Sequence, residues 1–540
     1  MMLLQGRRRS VAPETEKFDA ATAKPLRRHI VIRRFIDGMK APERRRVFYA
    51  LLGGKALGLA LLFLIIAGVP AYFGHKALAD TPAAAPPAYV NPINTMWVCV
   101  TAFLVFFMQA GFMFLEAGFA RTRETVNVLL EGIVDTCLCG LLFWAWGFAF
   151  MFGSGNGFIG HEFFFLHGAP ETYGSTGVSI LAFFLFQYAF ADTCSTITSG
   201  AMIGRTGFVG DLVYSFGVSG FIYPIFGHWA WGPDGWLNTI HPAAFHDFAG
   251  STVVHTIGGM VSLAGAIVLG PRLGRKFKRD GGGAMPGHDM TIAAVGGVIL
   301  WFGWYGFNPG STLSAMDAAG IGRIATNTTL AACAGGLSAM FWMYPRNKVW
   351  DCGMTINGFL AGLVAITCPC YWVSPFGAIM IGAIAGPVCA LWVDLMEYLR
   401  IDDPVGAVAV HGACGIWGTL SLGLFATGQY GAPTPTGADT SAGALVTGLF
   451  YGGGANQLIG QAIGSASIGV AVFVASMALM YITKFTVGLR VSKEGELAGL
   501  DLHEHGGGAY PELWGTGMSA GSSDAPSAAP APAATLSKAY

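Results

Sequence analysis

Two histidines lie in apolar segments, each at the same distance from a preceding aspartate. His255 follows Asp247 by eight positions, and His411 follows Asp403 by eight positions. Neutral imidazole carries one N–H donor and one acceptor nitrogen, and its charge changes near neutral pH. Ionisable side chains inside membrane-spanning segments are costly and are typical of functional sites. The repeated spacing therefore predicts a histidine pair that handles protons or hydrogen-bonded solutes.

Three roles for this pair are compatible with the residues alone. Each histidine could hydrogen-bond a neighbouring helix, although two at matching positions favour a functional role. The two could ligate a haem iron, as in an electron carrier, but nothing else in the sequence indicates a haem. They could also line a conduction path, which is the interpretation that the surrounding residues favour.

Aromatic, hydroxyl and carboxylate side chains are predicted to gather at one face of the membrane. Trp231 and Ser311 end two apolar segments, and Asp247 begins a third. A cation is attracted to an aromatic face by about 0.5–2 kcal/mol. The group therefore predicts an external site for a small cation, although tryptophan also anchors helices at membrane interfaces. Asp247 is favoured as a helix N-cap that helps the cation electrostatically, with direct ligation as the alternative.

The composition is that of an all-α polytopic membrane protein. Of 540 residues, 53% are hydrophobic and 11% are charged, against about 25% charged in soluble domains. The 31 basic and 31 acidic residues balance, which gives no indication of a nucleic-acid partner. The ten cysteines are interpreted as packing residues. No nucleophile–base pair or phosphate-binding loop is recognisable, so neither enzymatic activity nor a cofactor or metal is predicted.

About eleven segments after residue 90 are long enough to cross a bilayer, which takes about 20 residues. They lie at 93–119, 126–153, 179–203, 207–231, 249–270, 290–309, 323–344, 353–371, 374–398, 405–426 and 457–488. Basic residues concentrate in alternate connections, which places the mature N-terminus outside and the C-terminus in the cytoplasm. The two Asp–His segments then run in opposite directions. This predicts a five-plus-five inverted repeat with its site near the membrane midplane.

Six sequence stretches carry a resemblance to one transport family. They are MQAGFMFLEAG (108–118), FQYAFADTCSTITSGAMIGR (186–205), DFAGSTVVHTIGG (247–259), WFGWYGFNPGS (301–311), DDPVGAVAVHGACGIWG (402–418) and GLDLHEHGGGAYPE (499–512). Over about residues 90–512 the chain resembles the ammonium transporter (Amt/Mep/Rh) family, in its bacterial Amt branch. The resemblance implies a homotrimer in the bacterial inner membrane, in which each eleven-helix subunit has its own pore for ammonium, ammonia and methylammonium.

The resemblance also implies roles for individual residues. By position it assigns ammonium recruitment to Trp231, Ser311 and Phe190, the hydrophobic gate to Phe190 and Phe307, the twin pore histidines to His255 and His411, and an electrostatic or structural role to Asp247. The cytoplasmic tail resembles one that communicates with a PII signalling protein, although Gly507 and Gly508 replace acidic residues common in the family. An ammonium sensor with little flux is the alternative, but both histidines and both phenylalanines are present, which favours conduction.

Four regions follow from these patterns. Residues 1–79 combine a basic region, an apolar core and Ala77-Leu78-Ala79, which is typical of a signal peptide, with an uncleaved anchor helix as the alternative and Met39 as a possible start. Residues 80–490 form the ammonium channel domain, and 491–514 the regulatory tail. The Ala/Pro/Ser-rich stretch 515–540 is predicted to be disordered.

Overall fold

Helices form most of the computed structural model, which describes residues 87–174 and 176–510. The eleven principal helices are α1 Val90–Phe119, α2 Thr125–Phe152, α3 Ile180–Gly200, α4 Phe208–Trp231, α5 Ser251–Leu269, α6 Met290–Gly310, α7 Ala318–Asn347, α8 Cys352–Thr367, α9 Pro375–Leu399, α10 Val408–Phe425 and α11 Asn456–Thr486. Two short helices follow in the tail, α12 Lys493–Ala498 and α13 Leu500–His505. The predicted signal or anchor segment in 1–79 and the extension 515–540 lie outside the described residues.

Short antiparallel strand pairs occur in the connections between the helices. Strand β1 (Gly155–Asn156) pairs with β2 (Ile159–Gly160), β3 (Thr172–Tyr173) with β4 (Val178–Ser179), and β5 (Ala432–Thr434) with β6 (Gly437–Asp439). Each pair has only two or three residues per strand, so these hairpins shape loops and contribute no layer to the fold.

The helices confirm a polytopic membrane protein. Among the described residues, nine helices are long and apolar enough to cross a membrane, namely all of α1–α11 except α7 and α8. Helix α8 is apolar but has only 16 residues. Helix α7 has 30 residues, and its Ala-, Gly- and Thr-rich sequence makes it less hydrophobic.

Two helix boundaries differ by more than three residues from those expected from the apolar segments. Helix α8 ends at Thr367, four residues before the predicted end, because Pro369 lacks a backbone N–H and disfavours helical geometry at the residue before it. Helix α7 begins at Ala318, five residues before the predicted start, because the Asp317 side chain accepts a hydrogen bond from the Gly320 backbone nitrogen at 2.9 Å. In both cases the helix end is set by backbone hydrogen bonding and not by where the apolar segment ends.

Basic residues from several connections meet at one end of the bundle, called the basic end below. The Arg272 side chain donates two hydrogen bonds to the Asp402 carboxylate, at 2.8 and 2.9 Å. Arg205 donates to the Asp402 backbone carbonyl at 2.6 Å. The tail joins this network, because Glu496 accepts a hydrogen bond from the Leu273 backbone nitrogen at 2.6 Å and Arg490 donates to the Pro271 carbonyl at 2.8 Å. The connections after α3, α5 and α9 and the tail therefore lie on the same side of the bundle.

We expect the ion pair of Asp402 to make the fold sensitive to acid. Burial by itself would raise the pKa of Asp402, but the hydrogen bonds and positive charge of Arg272 lower that pKa well below its ordinary value. A carboxylate with a lowered pKa stabilises the folded state at pH values above its unfolded pKa of about 4, and this contribution is lost as the pH falls. In thermal unfolding, the stability difference between wild type and Asp402→Asn should narrow from pH 7 to about pH 3. A difference that stays constant would contradict the expectation.

Candidate functional site: a histidine pair beneath an aromatic column

The two histidines of the repeated Asp–His spacing meet inside the bundle. Nδ1 of His255 lies 3.2 Å from Nδ1 of His411, and the ring centroids are 5.2 Å apart. His255 is fully buried and His411 is 7% exposed. A hydrogen bond between two Nδ1 atoms requires one to donate and the other to accept, so the neutral pair consists of two different tautomers. The pair therefore holds one shared proton between its rings.

Matching local structures present the two histidines. The Asp247 carboxylate accepts hydrogen bonds from the backbone nitrogens of residues 250–253 at 2.8–3.0 Å. The Asp403 carboxylate accepts from the backbone nitrogens of residues 406–408 at 2.9–3.1 Å. Each aspartate thus satisfies the free N–H groups at the start of its helix. In both helices the first turn is a wide π-helical turn, Ser251–Thr256 and Val408–Ala413, and each contains the histidine.

Glycines set the distance between the two histidine helices. A β-carbon at Gly259 would lie 2.3 Å from the backbone nitrogen of Gly412, the residue after His411. Real β-carbons do not approach a backbone atom so closely, so α5 and α10 can cross here only with glycine at this position. This close approach brings the imidazoles into hydrogen-bonding distance.

We expect Gly259→Val to separate the histidines and to lower the transport activity that the sequence resemblance implies. The side chain would push α10 away by an ångström or more, and a displacement of that size commonly costs about 100-fold in a positioned site. Methylammonium uptake by the folded variant should therefore fall at least about tenfold. Gly469→Ala is the matched control, because its β-carbon would lie 3.7 Å from the nearest atom, a Thr256 methyl group. Uptake that is equal in both variants would contradict this role.

Aromatic rings form a continuous column from one face of the bundle to the histidine pair. The Phe190 ring lies 6.0 Å from Trp231, centroid to centroid, and 4.1 Å from Phe307 in a stacked arrangement. Phe307 in turn stacks on His255 at 5.4 Å. Phe190 is 1% exposed and Phe307 is fully buried, so both rings are enclosed by the surrounding helices.

An open cavity of about 330 Å³ lies above the column. Its lining includes the predicted site residues Trp231, Phe190 and Ser311. It also includes the polar residue Gln187. The Ser311 hydroxyl donates to the Phe307 carbonyl at 2.8 Å, which leaves its oxygen free to accept a hydrogen bond. Sequence reasoning missed Gln187, whose Oε1 is buried without a hydrogen-bond partner among the described residues. Its position three residues before Phe190 on a helix was the available signal.

Asp247 stands behind this cavity and is not part of its lining. Both of its carboxylate oxygens are occupied by backbone N–H groups, and its backbone carbonyl accepts a hydrogen bond from the Trp231 indole at 2.7 Å. Burial raises the pKa of Asp247 to about 6, although the four backbone hydrogen bonds lower it. Asp247 therefore caps its helix and also holds the Trp231 indole by a hydrogen bond.

The chain is similar to known proteins over almost the whole described region. Residues 96–510 match the model of the Ammonium Transporter Family. An ammonium transporter of Archaeoglobus fulgidus is 42% identical over 474 residues, covering 86% of this chain and 96% of the relative. A putative ammonium transporter of Synechocystis is 39% identical, covering 84% of this chain and 96% of the relative.

Solved structures agree with the sequence relatives. A structure described as a sensor Amt protein aligns with a TM-score of 0.69 and 37% identity, covering 77% of this chain and 99% of that one. Mep2 of Saccharomyces cerevisiae aligns with a TM-score of 0.66 and 27% identity, covering 78% and 94%. The resemblance predicted from the six motifs is confirmed, and the chain belongs to the ammonium transporter family, a family of multi-pass membrane proteins.

Proposed function

We propose that the protein transports ammonium by binding the cation in the outer cavity, removing its proton and passing ammonia along the histidine pair. The observation that carries this proposal is the unbroken order of Trp231, Phe190, Phe307, His255 and His411 along one column. The aromatic face of Trp231 and the hydroxyl of Ser311 suit a small cation that donates hydrogen bonds. Phe190 and Phe307 form the gate below them.

The dry pore accounts for selectivity in this proposal. Moving a bare ion into a low-dielectric interior costs several kcal/mol or more. Ammonia, being neutral, avoids most of this cost, and the Nε2 of His255, which is buried without a partner among the described residues, can hydrogen-bond it. Potassium has no proton to lose and stays excluded.

The number of spanning helices, the orientation of the chain in the membrane and its oligomeric state belong to the same proposal. We infer eleven spanning helices in a five-plus-five inverted repeat, supported by the matched aspartate caps and π-helical turns of α5 and α10. The clustered arginines at the basic end support a cytoplasmic C-terminus under the positive-inside rule. We further propose a homotrimer in the bacterial inner membrane, surrounded by lipid and contacted at its tail by a PII protein, which family membership supports. No enzymatic activity is proposed.

The geometry disfavours the haem hypothesis. The two Nδ1 atoms are in direct contact at 3.2 Å, which leaves no space for an iron atom and its porphyrin between the rings. Trp304 and Phe307 stack on His255 at 5.2 and 5.4 Å and fill the adjoining volume. An absorbance spectrum of the purified protein without a Soret band would agree with this conclusion.

An ammonium sensor is the second candidate, because the chain is 37% identical to the sensor Amt protein. Methylammonium uptake into proteoliposomes separates the two functions. A transporter shows saturable uptake that ammonium competes with and potassium does not. Binding of methylammonium without uptake would favour the sensor, and uptake that potassium competes with would contradict the proposed selectivity.

A further inference from the structure

Two rows of polar side chains face each other between α2 and α4, in a part of the bundle that contributes neither pore histidine. Within each row the residues follow at four-residue intervals, and every side chain is at most 2% exposed. The set, called the acidic seam below, consists of Asn127, Glu131 and Asp135 on α2 and Asp211, Ser215 and Ser219 on α4. Four residues advance a helix by about 6 Å, so each row runs for about 12 Å along its helix.

The two rows meet side by side. Helices α2 and α4 pack against each other over this stretch. The hydroxyl of Ser215 lies beside the Asp135 carboxyl group, and Ser219 lies beside Cys139, one further step along α2. The seam is therefore a continuous polar contact inside the membrane-spanning bundle.

Several oxygen atoms of the seam have no hydrogen-bond partner among the described residues. They include both carboxyl oxygens of Asp135, one of Asp211 and the hydroxyls of Ser215 and Ser219. Buried polar atoms in proteins are almost always hydrogen-bonded. An ionised carboxylate can only accept hydrogen bonds, whereas a protonated carboxyl group also has an O–H donor. Protons bound to Asp135 and Asp211 would therefore supply donors for the unpartnered oxygens of the seam.

Charge considerations point to the same ligand. In the described part of the chain no lysine, arginine or histidine forms an ion pair with Glu131, Asp135 or Asp211. Carboxylates without a counter-charge are strongly disfavoured in a protein interior within a membrane, whereas protonated carboxyl groups are not. No set of three or more His, Cys, Asp or Glu residues between 87 and 510 could hold a metal ion. Protonation is the remaining way to neutralise the seam.

The C-terminal tail covers one end of the seam. Nε2 of His505 lies 2.9 Å from Asn127 Oδ1, and the Asn127 side chain donates to Glu131 at 2.8 Å. The Asn127 backbone nitrogen donates to Asp501 at 2.9 Å. Because Asn127 Oδ1 can only accept, His505 is the donor, and α13 is fixed over the first residue of the seam.

We propose that the acidic seam is a proton-binding site that exchanges protons with water at the basic end, with α13 as its cover. A carboxylate oxygen takes a proton from water or buffer and returns it, and no other bond changes. The other ionisable groups that face the seam from the elements packed against it are Glu116, Cys139, Asp192, Tyr214, Asp501 and His505. The proposal is independent of ammonium transport.

Infrared spectroscopy of the full-length protein in lipid nanodiscs at pH 7 tests the site. Wild type should show the C=O band of protonated carboxyl groups, and Asp135→Asn or Glu131→Gln should reduce it. Asp439→Asn, which changes an exposed carboxylate, is the matched control and should leave the band unchanged. Because an amide has nearly the size of a carboxyl group, we expect both seam variants to fold. Cooperative thermal unfolding, as in wild type, checks this. A band that neither seam variant reduces would overturn the proposal.

Exchange into D2O tests the cover. His505→Ala removes the hydrogen bond to Asn127, so the deuterium shift of the carboxyl band should become roughly tenfold faster as local opening becomes easier. His503→Ala is the control, because that side chain is exposed and its Nε2 lies 3.8 Å from a carboxylate oxygen of the neighbouring Glu504. Equal exchange rates in His505→Ala and wild type would overturn the role of α13 as a cover.

Discussion

Replacing His255 with aspartate is expected to abolish saturable methylammonium uptake. The new carboxylate would lie in a fully buried position beneath Phe307, and when ionised it could accept a hydrogen bond from His411 Nδ1 but could not donate one. An ionised group there costs several kcal/mol, and each 1.4 kcal/mol corresponds to a factor of ten in rate. We therefore expect uptake to fall by about 100-fold or more in proteoliposomes.

The control for this experiment is the same substitution at an exposed histidine. His161 lies in the connection between α2 and α3, away from the aromatic column, so His161→Asp should transport like wild type. Both variants must elute as a single oligomer before their uptake is compared. If folded His255→Asp retained uptake within about twofold of wild type, a path along the paired imidazoles would be untenable.

Of the substitutions proposed at ion pairs, Asp402→Leu is expected to lower the free energy of unfolding the most. Its side chain is 1% exposed and forms ion pairs with Arg272 and Arg275 at 2.8 and 3.3 Å. Removing one partner of a buried ion pair leaves an uncompensated charge and typically costs about 3–5 kcal/mol. The midpoint of unfolding in detergent should therefore fall by several degrees, and the yield of folded protein should decrease.

An exposed ion pair provides the comparison. Asp394 pairs with Lys278 at 3.0 Å and with Arg346 at 2.7 Å, but these basic side chains are 53% and 43% exposed, and such pairs contribute about 0–1 kcal/mol each. Asp394→Leu should therefore change stability little. The double variant Arg272→Met/Asp402→Leu should recover part of the loss, because it removes both charges. Equal midpoints for Asp402→Leu and Asp394→Leu would show that the buried network does not stabilise the fold.

Local patterns predicted much of the fold. Hydropathy over about 20 residues gave the positions of the helices to within a few residues, because desolvation of an apolar span is a property of that span alone. The boundaries that differed, at Ala318 and Thr367, depend on a capping side chain and a proline, whose effects on backbone hydrogen bonds hydropathy does not include.

The sequence by itself determined that two Asp–His pairs with equal spacing occupy apolar segments, since spacing along one helix is fixed by its rise per residue. Only the tertiary structure decided that the two imidazoles touch, because that distance depends on how closely α5 and α10 cross at Gly259. Only the tertiary structure likewise placed Gln187 at the cavity and brought the two rows of the acidic seam together. Their neighbours come from other helices, and close packing between helices is not encoded in the periodicity of any single one.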